Sequence, residues 1–447
     1  MVAVAATLSL NDFLTFPVLV GQNGGGAFLL LYLLFLFGLG LPLLSAELLL
    51  GRLGQGDPSR AFEHLAAQQQ ASVYWKLTGF VSMLAAVMIV ASFSVIAGWS
   101  IAYFFKSMLG VYNAISVDAV SSLFDEFVAD VERVMLWYTL FVVLLVGISA
   151  QALEKGLEKT ALLVVPGLFV LLIVSLVLAV NSSGFGQSVN FLLYADFSVL
   201  DSSTGLLALE RAFYTLALGV GVMVMFGRYL PANLSIGYSA ALVIALDLLF
   251  SVLAGLAINA LVYSAGVTPS IDNQFAFRVL PGLLDQFEYG EWYGALFYLV
   301  LTVAALTTSL ALIEAPVCYL QRKLNCSRQK SVIFLGLGIW LFGLGAVFSF
   351  SLWSGEGFTV AIFYGDKAIR LVNNAGFYDV IVFLSSHLIQ PLAAFFLCIF
   401  VAWVIPRKQS YKALKLSSRF WFEAWNYLAR YITPILLLVV FLNSIGM

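Results

Sequence analysis

Charge is what this 447-residue chain has least of: Asp, Glu, Lys and Arg together make up 10% of it, and histidine occurs twice. So little charge excludes the basic patch of a nucleic-acid binder and the solvated surface of a soluble enzyme. Cysteine is scarce too. Cys318, Cys326 and Cys398 have no metal-ligand spacing, and two of them sit in or beside apolar stretches, so they imply neither a disulfide framework nor a redox site. No nucleophile–base pair appears, which argues against an enzyme. The N-terminus lacks a basic region and a small-residue cleavage site, and we read it as a first membrane segment rather than a removed signal peptide.

What is present is apolar. The chain is 62% hydrophobic, with a mean hydropathy of +0.99, the composition of an all-α, polytopic membrane protein. A span needs roughly 20 apolar residues, which predicts about eleven helices. They lie near residues 2–21, 26–50, 75–109, 134–152, 160–181, 205–229, 236–265, 292–321, 331–353, 376–405 and 427–446. Most of the 22 basic residues fall in the second-to-third connection and in every second connection after it. The positive-inside rule then makes that side, and the N-terminus, cytoplasmic in a multi-pass plasma (inner) membrane protein.

Two apolar segments are interrupted. The first reads TLSLNDFLTFPVLVGQNGGGAF from Thr7, with Asn11-Asp12, Pro17 and Gly24-Gly25-Gly26 inside it, and the sixth contains Leu218-Gly219-Val220-Gly221. Polar breaks in hydrocarbon are tolerated where they line a cavity or an ion site. The breaks are five segments apart, and an odd offset means two five-helix units inserted in opposite orientations, with the binding site between their broken helices. The expected units are residues 1–181 and 205–405, followed by a cytoplasmic linker and accessory helix at 406–447.

The run NDFLTFPVLVGQNGGGAF, followed by Pro42, Glu47 and Gly51-Arg52, resembles the first two helices of the neurotransmitter:sodium symporter family, which includes the bacterial leucine transporter and is a known case of the broken-helix site. Further matches are Ser94 to Trp99 in the third segment, Phe213 to Gly219 in the sixth, Leu253-Ala254-Gly255 after Asp247 in the seventh and Ala304 to Ser309 in the eighth.

The resemblance implies a sodium site made by backbone carbonyls of Ala5, Leu8 and Ala304 with the hydroxyls of Thr307 and Thr308, hard oxygen ligands for a hard cation. It implies a second, altered sodium site at Thr7, Asp12, Thr215 and Asp247, where Asp12 and Asp247 replace asparagines usual in the family. Tyr32, Thr215 and Ser251 stand where many chloride-dependent members place an anion, but Arg211 replaces a glutamine there, so chloride dependence is not carried over. One reading is that Arg211 with Asp12 or Asp247 forms a fixed charge cluster in place of a mobile ion. The other is a structural salt bridge or a protonated aspartic acid.

For the solute, the resemblance implies Ala6, Leu10, Asn11, Ile89, Phe93, Tyr214, Ala217, Val220, Thr308 and Leu312, a mainly apolar lining with few polar anchors. Phe93 replaces a tyrosine and Asn11 a glycine. Thr15 and Val382 replace the outer ion-pair gate of many members. At the inner gate, Arg322 stands where the acidic partner is usual and the basic partner would precede Met1, so this latch is expected to be lost or the first half-helix to begin upstream. Glu47 matches a glutamate that bonds the unwound part of helix 6. Glu314 and His387 are read as members of an aqueous path, proton carriers or inter-helix hydrogen bonders.

The resulting expectation is a sodium-coupled secondary active transporter of a small neutral solute, an amino acid foremost, working by alternating access and not an enzyme. The alternatives are a proton-coupled transporter of an amino acid or amine, with Asp12 or Asp247 as carrier, and a transport-inactive sensor or scaffold. Na+ is the coupling ion in the leading reading. The expected partners are the solute and the lipid bilayer, no nucleic acid, with a homodimer left open.

Overall fold

A computed structural model of the chain describes residues 2–8, 15–113, 115, 117–151, 159–270, 274–285, 289–355, 357–364 and 367–446. Among them, 8 helices are each long and apolar enough to cross a membrane. The first predicted segment is in two pieces, α1 (Val2–Thr7) and α2 (Phe16–Gln22), and α3 (Gly26–Gly54) follows. A connecting helix α4 (Pro58–Gln68) leads to the long α5 (Lys76–Met108). Then come α6 (Val117–Ala129), α7 (Val131–Ser149), α8 (Lys159–Val180) and α9 (Phe185–Leu193). The sixth predicted segment is also broken, into α10 (Ser202–Tyr214) and α11 (Val222–Tyr229). The chain continues through α12 (Ile236–Ser264), α13 (Gly290–Leu324), α14 (Arg328–Phe350), α15 (Phe377–Val404), α16 (Arg407–Leu414) and α17 (Arg419–Ser444).

One element was not expected. Between α14 and α15 an antiparallel hairpin pairs β1 (Phe358–Tyr364) with β2 (Lys367–Ala375), closing at Tyr364 opposite Lys367. The first run, FTVAIFY, is rich in β-branched and aromatic residues, and a Gly-Asp pair of the kind that favours tight turns separates it in sequence from the second, KAIRLVNNA. In a chain dominated by apolar helices, so short an alternation reads as a connection. The last helix also starts earlier than its apolar run, because the amphipathic stretch RFWFEAWNY (Arg419–Tyr427) is already helical.

The helices begin where the sequence offers caps. Asp57, Asp130 and Asp201 accept backbone N–H bonds at the starts of α4, α7 and α10. At α10 the Asp201 carboxylate accepts from the Thr204 N–H and from the hydroxyls of Ser203 and Thr204, and these bonds hold its pKa down at about 2. Serine hydroxyls inside α5 bond one turn back, as Ser94 does to the Val90 carbonyl at 2.6 Å, so the helix carries them through an apolar medium.

Helices α5 and α13 run side by side through the middle of the core. In the C-terminal part of α13, Glu314 is 1% exposed and meets Arg328 of α14 through two bonds of 2.9 and 2.7 Å. The same guanidinium donates to the Ser149 and Gln151 carbonyls at 2.8 and 2.7 Å. Glu314 is thus a buried structural anchor tying α13 and α14 to the end of α7. This pairing corrects the expectation that it lines an aqueous path or carries a proton. A second pair joins Arg322 of α13 to Asp57, with Nε donating to Oδ2 at 2.6 Å and Nη2 to Oδ1 at 3.2 Å. The position that breaks the family's inner latch has therefore found another partner.

Removing one member of a buried ion pair strands the other. Glu314→Ala is expected to lower stability by about 3 kcal/mol, read by chemical denaturation in detergent micelles, while Glu423→Ala, in a half-exposed pair with Arg407, should cost less than about 1 kcal/mol.

Candidate solute and ion site

Both interrupted segments contribute residues to one cavity. α1 closes with the Leu8 N–H on the Val4 carbonyl and the Thr7 hydroxyl on the same oxygen, at 3.1 and 3.0 Å. α2 begins at Phe16-Pro17, where a proline at the first turn forfeits no helical bond. Leu10, Asn11 and Asp12, the heart of the predicted break, lie outside the described residues. Beyond α2, the Gly24-Gly25-Gly26 triplet makes a two-way backbone contact with the segment at Tyr194–Asp196. Gly26 N–H donates to the Tyr194 carbonyl at 3.0 Å and Asp196 N–H to that of Gly24 at 3.1 Å.

The second break is fully visible. Between Thr215 and Gly221 the backbone leaves the helix, with φ of +48° at Ala217, +79° at Gly219 and +77° at Gly221. Gly219 needs its missing side chain, since a Cβ there would overlap the Gln390 carbonyl oxygen. Two buried side chains take over the freed peptide groups. Glu47 of α3 accepts from the Gly219 N–H at 2.6 Å, as the sequence resemblance implied, and Gln390 of α15 donates to the Leu218 carbonyl at 2.8 Å. Gln390 was not anticipated; a glutamine followed by proline inside an apolar run was the available signal.

A cavity of about 300 Å³ lies between the breaks, lined by Ala6, Thr7, Ile89, Phe93, Arg211, Tyr214, Thr215, Ala217, Val220, Thr308 and Leu312, with Val382, Ser386, His387 and Gln390 from α15. Every solute-lining residue expected from the sequence is there except Leu10 and Asn11, which are not described. Of the α15 contribution, Ser386 and Gln390 were missed, while the sequence singles out Val382 and His387. The His387 ring stacks on Phe383, with centroids 5.9 Å apart, and lies 5.7 Å from that of Tyr214. The Tyr214 hydroxyl reaches Ser444 of α17 at 3.4 Å. Val382, at the position of the missing outer gate, is part of the wall.

Beside the cavity, the expected sodium ligands converge. The Thr308 hydroxyl lies 2.6 Å from the Leu8 carbonyl and 3.3 Å from that of Ala5, across the α1–α13 junction. The Thr307 hydroxyl sits 2.9 Å from the Ala304 carbonyl one turn away. All five residues are buried, and hydroxyl and carbonyl oxygens brought this close from two elements are the donor set a sodium ion takes.

At the altered second site the Thr215 hydroxyl donates to Asp247 Oδ2 at 3.0 Å. Ser251 is one turn along α12 from Asp247, on the same face and equally buried. Arg211 lies with its guanidinium carbon 5.4 Å from the Phe16 ring centre, and that ring packs 4.9 Å from Tyr32. Thr7, Arg211 and Thr215 line the cavity, and Asp247 is joined to it through Thr215; Asp12 is not described. No group of three metal-ligating His, Cys, Asp or Glu side chains occurs among the described residues.

Known proteins resemble this chain over its whole length. The sequence profile of the sodium:neurotransmitter symporter family matches residues 1–117 and 112–447. An uncharacterised sodium-dependent transporter of Bacillus subtilis, YhdH, is 30% identical over 449 residues, covering 100% of this chain and 96% of that protein. An uncharacterised sodium-dependent transporter of Haemophilus influenzae is 29% identical over 454 residues, covering 100% and 96%. The crystal structure of MhsT in complex with L-phenylalanine superposes with a TM-score of 0.85 at 30% identity, covering 99% of this chain and 97% of that one. With both halves of its length matched, the chain belongs to the sodium:neurotransmitter symporter family, as a sodium-dependent membrane transporter rather than an enzyme.

Proposed function

We propose that the protein is a sodium-coupled symporter of a small neutral amino acid in the plasma membrane, working by alternating access. The observation that carries this reading is one cavity bounded by both broken helices, with the Thr308 hydroxyl bridging to α1 at its edge. The apolar floor of Ile89, Phe93, Val220 and Leu312 suits an aliphatic or aromatic side chain. MhsT was crystallised with L-phenylalanine, which supports an amino acid as the solute. Amide groups freed in the helix 1 break at Leu10 and Asn11 would receive the solute's carboxylate, compensating for the hydroxyl that Phe93 lacks.

Sodium would bind through Ala5, Leu8, Ala304, Thr307 and Thr308, join α1 to α13 and favour the outward-facing state. Solute then closes the cavity, and the first, second, sixth and seventh membrane segments rock against the remainder to open it inward. With the N-terminus cytoplasmic, the Asp57–Arg322 pair takes the place of the family's inner latch and must part for inward opening. At the second site we read Arg211 with Asp12 and Asp247 as a fixed charge cluster in place of a mobile ion.

Uptake into proteoliposomes under separate sodium and proton gradients tests the proposal. Accumulation of a neutral amino acid should follow the sodium gradient; drive by protons alone would make Asp12 or Asp247 the carrier, and absence of uptake across an amino-acid and amine panel would favour the sensor reading. Thr308→Val keeps the volume but deletes the hydroxyl, and should raise the half-saturating sodium concentration about tenfold, the equivalent of losing ~1.4 kcal/mol. Replacing chloride with gluconate should leave the uptake rate unchanged; a chloride requirement would overturn the fixed-charge reading.

A further inference from the structure

A second cavity, of about 600 Å³, lies on the other flank of α3, away from the transport cavity. Its walls are Phe37 and Leu41 of α3, Tyr238 at the start of α12 and Trp421 and Trp425 of α17, with Lys415 of the α16–α17 link among them. The Trp425 indole N–H donates to the Pro42 carbonyl at 3.1 Å and braces the groove from within. Tyr238 is 71% exposed and Trp421 58%, as aromatic side chains are where hydrocarbon meets headgroups.

The charge around this groove is one-sided. From Arg407 to Arg419 the chain reads RKQSYKALKLSSR, with five basic residues and no acidic one. Glu423 takes up Arg407 and, at 3.9 Å, Arg419. Lys408, Lys412 and Lys415 are exposed, and no acidic partner stands within ion-pair distance of them among the described residues. An apolar, aromatic-edged groove with the exposed Lys415 in its wall, and exposed Lys408 and Lys412 on the short helix leading to it, matches a ligand with a hydrocarbon chain and an anionic head.

We infer that this groove is a binding site for an anionic phospholipid, with an acyl chain between α3, α12 and α17 and the phosphate at Lys408, Lys412 and Lys415. Neutral lipid would fill the groove without engaging the lysines, and free phosphate would meet the lysines without the groove. The site lies between elements with separate roles: α3 carries Glu47, α12 carries Asp247, and α17 touches the solute cavity through Ser444 and Tyr214. A lipid held there braces the back of the helix that supports the break at Gly219.

Native mass spectrometry of the delipidated full chain, titrated with phosphatidylglycerol or phosphatidylcholine of identical acyl chains, tests this. The intact protein should retain phosphatidylglycerol about fivefold more tightly or better. The combined Lys408→Gln, Lys412→Gln and Lys415→Gln variant should bind both lipids alike. Ala424→Trp and, independently, Leu41→Trp should fill the groove and weaken phosphatidylglycerol retention about fivefold or more, while glycerophosphate should not compete. Equal retention of the two lipids by the intact protein would overturn the proposal, as would a headgroup preference surviving in the lysine variant, undiminished binding in both tryptophan variants, or full competition by glycerophosphate.

Discussion

A peptide group that leaves its helix inside hydrocarbon has no water to turn to, and the cost of leaving it unmet is several kcal/mol. This constraint governs the centre of the molecule. The break in the sixth segment exists because Glu47 and Gln390, from helices far apart in the chain, offer an acceptor to Gly219 and a donor to Leu218. Neither side chain needs to touch solute to matter to transport. They keep an irregular turn irregular, so that backbone groups and small side chains, rather than a full helical surface, face the cavity.

The charged side chains within the helical body follow the same logic. Glu314 with Arg328 and Asp57 with Arg322 are each held by two hydrogen bonds, and Thr215 with Asp247 is a buried polar contact at the edge of the cavity. Their placement separates two kinds of work. The first two pairs tie helices together in the C-terminal part of α13, whereas Arg211 and Thr215 line the cavity and Asp247 accepts the Thr215 hydroxyl beside it.

Much of this was legible in the sequence because the informative residues are those an apolar helix least tolerates. Asn11-Asp12, Gly219 and Gly221, Glu47 and the Thr307-Thr308 pair stand out against their surroundings, and the lining from Ala6 to Leu312 is what the family resemblance they carry implies. What was hidden depends on pairing across distance. Asp57-Pro58 reads as an ordinary helix cap, and it is one, yet the same carboxylate also holds Arg322. Gln390-Pro391 reads as a helix start, and only its position opposite Leu218 reveals a second role. The hairpin from Phe358 to Ala375 stayed unseen because a short alternating run carries little weight beside nine helices' worth of hydrophobic signal.

The pair between Asp57 and Arg322 also has a bearing on inheritance. Its polarity makes each residue acceptable only in the company of the other: an acidic side chain at 322, the type usual in the family, would face a buried carboxylate here, and a neutral residue at 57 would leave the guanidinium without its counter-charge. The connection after the second membrane segment and the foot of the eighth are therefore coupled in energy: a change at one costs less when the other changes with it.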